Sequence, residues 1–258
     1  MTRLSKWLTR EEKASSLPEM FHPTTPFSMF TFPKPSQPSS EGHNTAPHTL
    51  HYVLVLDRSG SMSCRMDEVR HAVNDQIATL AREAKEDGNT CLLSVVRFDS
   101  EIEPILIERN VQDVKPLTQE DVQPRGMTAL VDATVLTIEQ AAALVGSRID
   151  GEKESLAIVV YTDGGENASR HRSGNDLTRA LEKHQNLPGW DITFIGASPE
   201  AFSMMERAHF RAEKMVHVDA KDSGWAMREM TGFLSDKMRS RKEMAIREMQ
   251  RRRNRQNP

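Results

Sequence analysis

The chain has 258 residues, of which 28% are charged and 37% are hydrophobic, and its formal net charge is -3. This composition is typical of a soluble globular protein, and no apolar run reaches the ~20 residues that a membrane helix needs. The N-terminus has basic residues but no apolar core of a secretory signal, so we expect a cytoplasmic protein without membrane association. The two cysteines, Cys64 and Cys91, are too few for a disulfide framework.

Residues 1–49 are rich in Pro, Ser and Phe, and they contain seven of the 13 prolines. Proline fixes φ and removes a backbone donor, so this segment is not expected to form a sheet ladder or a long helix. We interpret 1–49 as an extended arm or linker. Two interpretations stay open for it, a frayed terminus or a segment that docks on a larger partner.

The domain between the two ends, residues 50–236, alternates apolar runs with amphipathic stretches. The predicted strands, in chain order, are TLHYVLVLD, TCLLSVVRF, EIEPILIE, SLAIVVYTD, DITFIGA and KMVHVDA. The predicted helices are 66–86, 129–145, 176–185 (with Asn175 or Asp176 as its cap) and 199–209, and a last helix runs from Ser223 to about Arg253. EIEPILIE follows its predecessor too closely for a crossover helix and contains Pro104, which predicts an antiparallel edge strand.

The C-terminal segment 237–258 is predicted as a basic helical tail. It has nine Lys or Arg against two Glu, a net charge of +7, so the rest of the chain carries -10. Three interpretations stay open: a solvated terminal helix, docking on an acidic protein surface, and contact with nucleic acid phosphates. The tail has no aromatic residue for base stacking, so nucleic acid is the least favoured partner.

Strands that alternate with helices predict an α/β fold with a doubly wound, mostly parallel sheet and one antiparallel edge strand. In such sheets, ligands bind beyond the carboxyl ends of the strands, where the strand order reverses. The stretches LDRSGSM and YTDGGEN each end a strand that looks central. We therefore expect the two stretches to lie side by side if their strands are neighbours.

These strand ends and one loop carry the candidate metal ligands, which are all oxygen donors. They are Asp57, Ser59, Ser61, Thr128 and Asp163. Two carboxylates and three hydroxyls suit Mg²⁺, with Mn²⁺ as the alternative, whereas softer metals prefer His or Cys. Helix capping would explain DRSGS alone, but not the joint occurrence of all five positions.

Three further residues are candidates for a supporting role around that site. Asp99 ends a strand on the same sheet edge, and Glu166 and Asn167 follow Asp163 in the chain. No nucleophile elbow or phosphate-binding loop occurs, so we predict no catalytic residues and no enzymatic activity.

DRSGS, the Thr128 loop GMTAL and the Asp163 loop YTDGGEN resemble the von Willebrand factor A domain and its metal-ion-dependent adhesion site. All five positions occur in the order of the family, and the order of strands and helices is similar over about 50–236. The resemblance implies that Asp57, Ser59, Ser61 and Thr128 are direct or water-mediated Mg²⁺ ligands. It also implies that Asp163 acts through water and that an acidic residue of a partner protein completes the coordination.

The resemblance is to the intracellular, bacterial or phage type of the family, which implies an adaptor in a multiprotein assembly. Its partner would be an AAA+ ATPase or an assembly subunit. Two alternatives stay open. The protein is a structural component of a larger assembly such as a phage virion, docked through 1–49, or it is a nucleic-acid-associated adaptor that uses the basic tail.

Overall fold

The computed structural model of the chain describes residues 47–218 and 228–235. All of them fall within one compact unit of the chain. Almost all of the predicted arm, the whole basic tail and most of the last predicted helix lie outside the described residues. The arm and tail hypotheses therefore stay predictions.

Six strands form one sheet. They are β1 (Thr49–Asp57), β2 (Thr90–Phe98), β3 (Ile102–Asn110), β4 (Glu154–Thr162), β5 (Trp190–Gly196) and β6 (Met215–His217). The order across the sheet is β3-β2-β1-β4-β5-β6, and every neighbouring pair is parallel except β2 and β3. The antiparallel edge strand with Pro104 is thus confirmed.

Four helices connect the parallel strands. They are α1 (Met66–Asp87), α2 (Leu130–Val145), α3 (Gly174–His184) and α4 (Pro199–Arg207), and a short helical segment covers 228–235. Side chains of β1 alternate between two buried clusters, with Leu54 and Leu56 on the α1 side and Val53 and Val55 on the other side. Both faces of the sheet are covered, which explains the continuous apolar runs of the strands.

The cap of α3 differs from the prediction. Ser173, and neither Asn175 nor Asp176, is the N-cap; its side chain accepts a hydrogen bond from the Asp176 backbone N–H, and Asp176 bonds back to the Ser173 N–H. This reciprocal arrangement is a capping box. Asp176 is therefore part of the first turn, not its cap.

The amino-terminal edge of the sheet contains two buried histidines. The ring nitrogens of His48 contact the Glu152 carbonyl at 3.1 Å and the Ser155 hydroxyl at 2.9 Å. His51 contacts Glu108 with one ring nitrogen and Glu154 with the other, each at 2.8 Å. The His48 and His51 rings thus form hydrogen bonds to different residues.

The strand order reverses between β1 and β4. The chain runs from β1 outward to β2 and β3, and then returns to place β4 on the other side of β1. The carboxyl ends of β1 and β4 are adjacent at this switch point, which is the usual ligand position in open α/β sheets.

Candidate metal centre

Asp57 and Asp163 meet at the switch point because of their positions in the strands. Asp57 is the last residue of β1, and Asp163 directly follows β4. The two strands pair in parallel register, with Leu56 opposite Tyr161. Parallel pairing therefore brings two carboxylates that are 106 positions apart in the chain to one edge of the sheet.

The Asp57 carboxylate is completely buried and held by two donors. One oxygen accepts the Ser59 backbone N–H at 2.6 Å, and the other accepts the Thr162 hydroxyl at 2.5 Å. Burial raises the pKa of Asp57 to about 6, and the nearby Asp163 charge adds to the rise, although hydrogen bonds from Thr162 and Ser59 favour the charged form. The carboxylate is thus fixed in place, and its charge is incompletely compensated.

The two serines link this carboxylate to Asp163. The hydroxyl oxygens of Ser59 and Ser61 lie 3.0 Å apart, and Ser61 donates its proton to Asp163 at 2.6 Å. Because the Ser61 proton points at Asp163, the Ser59 hydroxyl is the donor to Ser61, and one lone pair of the Ser61 oxygen remains for another partner.

Thr128 lies in the loop before α2, and the residue is only 3% exposed. Its backbone N–H donates to the side-chain oxygen of Asn167 at 2.7 Å, and its carbonyl accepts the backbone N–H groups of Asn167 and Ala168. Its hydroxyl makes no hydrogen bond within the part of the chain that the structure describes. The lone pairs of this hydroxyl are therefore available to an external partner.

Three of the oxygen donors face one spot beside the Gly164 backbone. A Cβ atom at Gly164 would lie 3.1 Å from the Thr128 hydroxyl, 3.4 Å from the Ser61 hydroxyl and 3.9 Å from an Asp57 carboxylate oxygen. The absence of a side chain at Gly164 therefore leaves a small space lined by oxygen atoms. Ser59 and Asp163 join this set through their hydrogen bonds to Ser61.

Asp99 anchors the Thr128 loop from the neighbouring strand end. Its backbone carbonyl accepts the Ala129 N–H at 2.9 Å, and its carboxylate accepts Nε of Arg125 at 2.7 Å. The almost fully buried Arg58 guanidinium lies 3.0 Å from the same carboxylate. Asp99 thus supports the loop that carries Thr128, and its carboxylate forms ion pairs with two arginines.

Glu166 and Asn167 have different roles in the structure. Asn167 holds the backbone of Thr128, as described above. Glu166 accepts the backbone N–H of Val131 at 2.8 Å, in the first turn of α2, and those of Ala168 and Ser169 in its own loop. Glu166 therefore binds the amino end of α2 and not the space beside Gly164.

Sequence reasoning missed two residues of this centre. Thr162 holds Asp57, and its place at a strand end one residue before Asp163 was the available signal. Arg65 has Nε 3.2 Å from the second oxygen of Asp163, and no local motif indicates this contact.

The donor set fits a hard divalent cation. Nowhere within residues 47–218 and 228–235 do three or more His, Cys, Asp or Glu side chains converge as a metal-binding group. The centre has two carboxylates and takes its other donors from hydroxyls, which suits Mg²⁺ or Mn²⁺ better than a soft metal. The oxygen-lined space beside Gly164 agrees with such an ion.

No helix within the described ranges has the length and apolar composition needed to cross a bilayer. No protein-family model matches the sequence, and no curated protein matches it either.

Solved structures do match the fold. The PilB minor pilin from Streptococcus sanguinis is 16% identical with a TM-score of 0.53, over 79% of this chain and 63% of that chain. The pilus adhesin SpaC from Lactobacillus rhamnosus GG, in its open conformation, is 13% identical with a TM-score of 0.54, over 77% of this chain and 31% of that chain. A von Willebrand factor type A structure from Catenulispora acidiphila is 15% identical with a TM-score of 0.48, over 74% of this chain and 43% of that chain.

The chain spans less than two thirds of each of these proteins. At identities of 16% and 13%, the similarity to PilB and SpaC concerns the fold alone. Three features agree with this similarity in fold: the strand order, the antiparallel edge hairpin and the helices on both faces. The chain therefore has the doubly wound, mostly parallel α/β fold that the resemblance to the von Willebrand factor A domain predicted.

Proposed function

We propose that this protein is a non-enzymatic binding module that holds a divalent cation, Mg²⁺ or alternatively Mn²⁺, and uses it to bind a carboxylate of a partner protein. The observation that carries this proposal is the convergence beside Gly164 of three oxygen donors, the Thr128 and Ser61 hydroxyls and an Asp57 carboxylate oxygen. When bound, the cation would supply positive charge and a coordination position for an external carboxylate.

The chain's own residues divide the work of holding such an ion. Asp57, Ser59, Ser61 and Thr128 would provide oxygen ligands, and Asp163 would act through water and through its hydrogen bond to Ser61. The Thr162 hydroxyl and the Ser59 N–H orient the Asp57 carboxylate. Partners of this kind, which fix ligands in the correct orientation, are a common requirement of metal sites.

The serines are better placed as ligands than as nucleophiles. Their hydroxyls contact each other and Asp163, and no histidine contacts either hydroxyl within the described residues. A serine nucleophile needs an adjacent general base. This arrangement supports a binding role, and we propose a cytoplasmic adaptor of a multiprotein assembly, with an AAA+ ATPase or an assembly subunit as the partner.

The proposal is tested with immobilised protein and lysate of the source organism, in Mg²⁺ and in EDTA. The wild type is compared with Asp57→Ala and with the control Asp67→Ala, because the Asp67 side chain is 69% exposed on α1. We expect one partner to be retained only in Mg²⁺, by the wild type and the control. Equal retention by Asp57→Ala, or in EDTA, would contradict a metal-mediated contact.

Calorimetry with Mg²⁺ on the same three proteins tests the metal separately. The wild type and Asp67→Ala should bind one equivalent, and Asp57→Ala should bind at least about 100-fold more weakly. Equal binding by all three would show that the donor set described here is not the metal centre.

A further inference from the structure

Arg65 is a basic side chain inside the candidate metal centre. Its Nε lies 3.2 Å from an Asp163 carboxylate oxygen, and the side chains are 19% and 2% exposed. Nε itself is buried and makes no hydrogen bond within the described residues, so the contact with Asp163 is not aligned as one. The pair is therefore held by charge attraction more than by directional bonding.

The position of Arg65 is determined by the loop that carries Ser61. A short 3-10 turn covers Gly60–Cys64, and the backbone N–H of Arg65 closes it by donating to the Met62 carbonyl at 3.0 Å. The Arg65 carbonyl then accepts the Val69 N–H at 3.0 Å, at the start of α1. Arg65 is thus tied on both sides to the segment that places a candidate ligand.

The other arginines near this edge of the sheet are paired elsewhere. Arg58 contacts Asp99 and Glu103, and Arg125 contacts Asp99, Glu101 and Glu103. Of the described basic side chains, Arg65 is the one within ion-pair distance of an Asp57 or Asp163 carboxylate. It neutralises one of the two negative charges that a cation would meet.

We propose that Arg65 sets the charge of this centre, lowering its affinity for a divalent cation and increasing the affinity of the loaded centre for a carboxylate. Two carboxylates alone would neutralise a doubly charged ion. With Arg65 beside Asp163, a loaded centre keeps about one positive charge, which favours an acidic ligand. This inference rests on the function proposed above.

A purely structural role for Arg65 predicts the opposite effect. If Arg65 only kept Asp163 in position, its removal would weaken cation binding. The sign of the change in metal affinity therefore separates the two roles.

The test measures the affinity for Mn²⁺ alone, with free Mn²⁺ followed by electron paramagnetic resonance. The variants are Arg65→Gln and Arg65→Met, which remove the charge, and Arg65→Lys, which keeps it. Arg70→Gln is the matched control, because Arg70 lies on α1 and pairs with Asp67. We expect the two neutral variants to bind Mn²⁺ roughly 10-fold more tightly, and the Lys variant and the control to stay within about twofold of the wild type.

The outcomes separate the inference from the function on which it rests. Absence of Mn²⁺ binding by the wild type overturns both. Binding by the wild type that is unchanged or weakened in a folded neutral variant overturns only the role of Arg65. Circular dichroism identifies any variant that does not fold, and the second neutral variant then decides.

The proposed increase in carboxylate affinity is tested with acetate as the probe. Its binding is followed by the relaxation of its methyl protons by protein-bound Mn²⁺. We expect Arg65→Gln to bind acetate several-fold more weakly than the wild type, although it binds Mn²⁺ more tightly. Equal or tighter acetate binding by this variant would overturn the second half of the proposal.

Discussion

Charged groups are buried both at the amino-terminal ends of the strands and at their carboxyl ends. The two sets of charges are compensated by different kinds of partner. At the amino-terminal edge, the completely buried His51 lies between the Glu108 and Glu154 carboxylates and contacts each at 2.8 Å. Arg148 lies 3.4 Å from Glu108 and 3.6 Å from Glu154. Two carboxylates thus face two basic groups, and the set is complete within the chain.

At the carboxyl edge, Asp57 and Asp163 face hydroxyls and a single poorly aligned arginine. Burial costs a charged group several kcal/mol unless a partner compensates it. The complete set at the first edge predicts a structural role, and the incomplete set at the second predicts an external cation. Compensation of the buried charge, more than burial itself, therefore distinguishes a structural cluster from a candidate site.

The largest expected effect, on the free energy of unfolding, comes from removing His51 from its cluster with Glu108 and Glu154. His51→Gln removes the positive charge between two carboxylates, so we expect a loss of about 3 kcal/mol in the free energy of unfolding. Mg²⁺ affinity should not change, because His51 lies at the opposite edge. Urea unfolding and calorimetry measure the two quantities, and a variant as stable as the wild type would show that the cluster contributes nothing.

The pH dependence of stability tests the same cluster without removing it. Burial lowers the pKa of His51, and Arg148 also opposes its charge, but Glu108 and then Glu154 outweigh them, so the pKa is raised above 6.5. The stabilisation is therefore fully present below pH 6.5 and is lost as the pH rises through the raised pKa. Unfolding measured from pH 6 to 9 should show this decrease in the wild type, and His51→Gln should lack the His51 component.

Removing a carboxylate from the Asp57 and Asp163 pair should weaken Mg²⁺ binding without destabilising the fold. Asp57→Ala is expected to weaken Mg²⁺ binding at least about 100-fold, more than the loss of a supporting partner usually costs. Its thermal unfolding without metal should not fall below that of the wild type, because the buried Asp57 charge is incompletely compensated. A variant that unfolds at a clearly lower temperature would mean that Asp57 is chiefly structural.

Asn167→Ala should have a smaller effect on the same edge. It leaves the Thr128 backbone N–H without its 2.7 Å acceptor and so loosens a candidate ligand. We expect Mg²⁺ affinity to fall roughly 10-fold. Asn175→Ala, at an exposed position of α3, is the matched control, and an equal effect of both changes would remove Asn167 from the site.

The smallest effect is expected for an exposed ion pair that belongs to neither set. Arg172 and Glu139 lie 2.6 Å apart with side chains 38% and 48% exposed. A double-mutant cycle on the pair should give less than about 1 kcal/mol and leave Mg²⁺ affinity unchanged. A larger coupling energy would contradict the distinction between compensated buried charges and surface charges.

Local patterns in the sequence were sufficient for the architecture. Apolar runs covered on both faces predict the central strands, and the short gap before Ile102 together with Pro104 predicts the antiparallel edge. Because parallel strands end at one edge, the same patterns predict Asp57 and Asp163 at that edge, and the pairing of β1 with β4 then brings them together. These features depend on periodicity and chain direction, which are local properties.

The contacts that complete each cluster depend on residues far apart in the chain. His51 meets Glu108 and Glu154, which are 57 and 103 positions away. Glu108 reaches it where β2 and β3 change register, at a backbone φ of 47° that is unusual for a residue other than glycine. No period in the sequence encodes that meeting.

The sequence by itself determined the strands, their order of appearance and the oxygen donors at the strand ends. Only the tertiary structure decided how each buried charge is compensated: His51 by two carboxylates, Asp163 by Arg65, and Asp57 by Thr162 and the Ser59 N–H. The physical reason is that hydrophobic patterning is a property of neighbouring residues, whereas the compensation of a buried charge depends on whichever groups packing brings within a few ångströms.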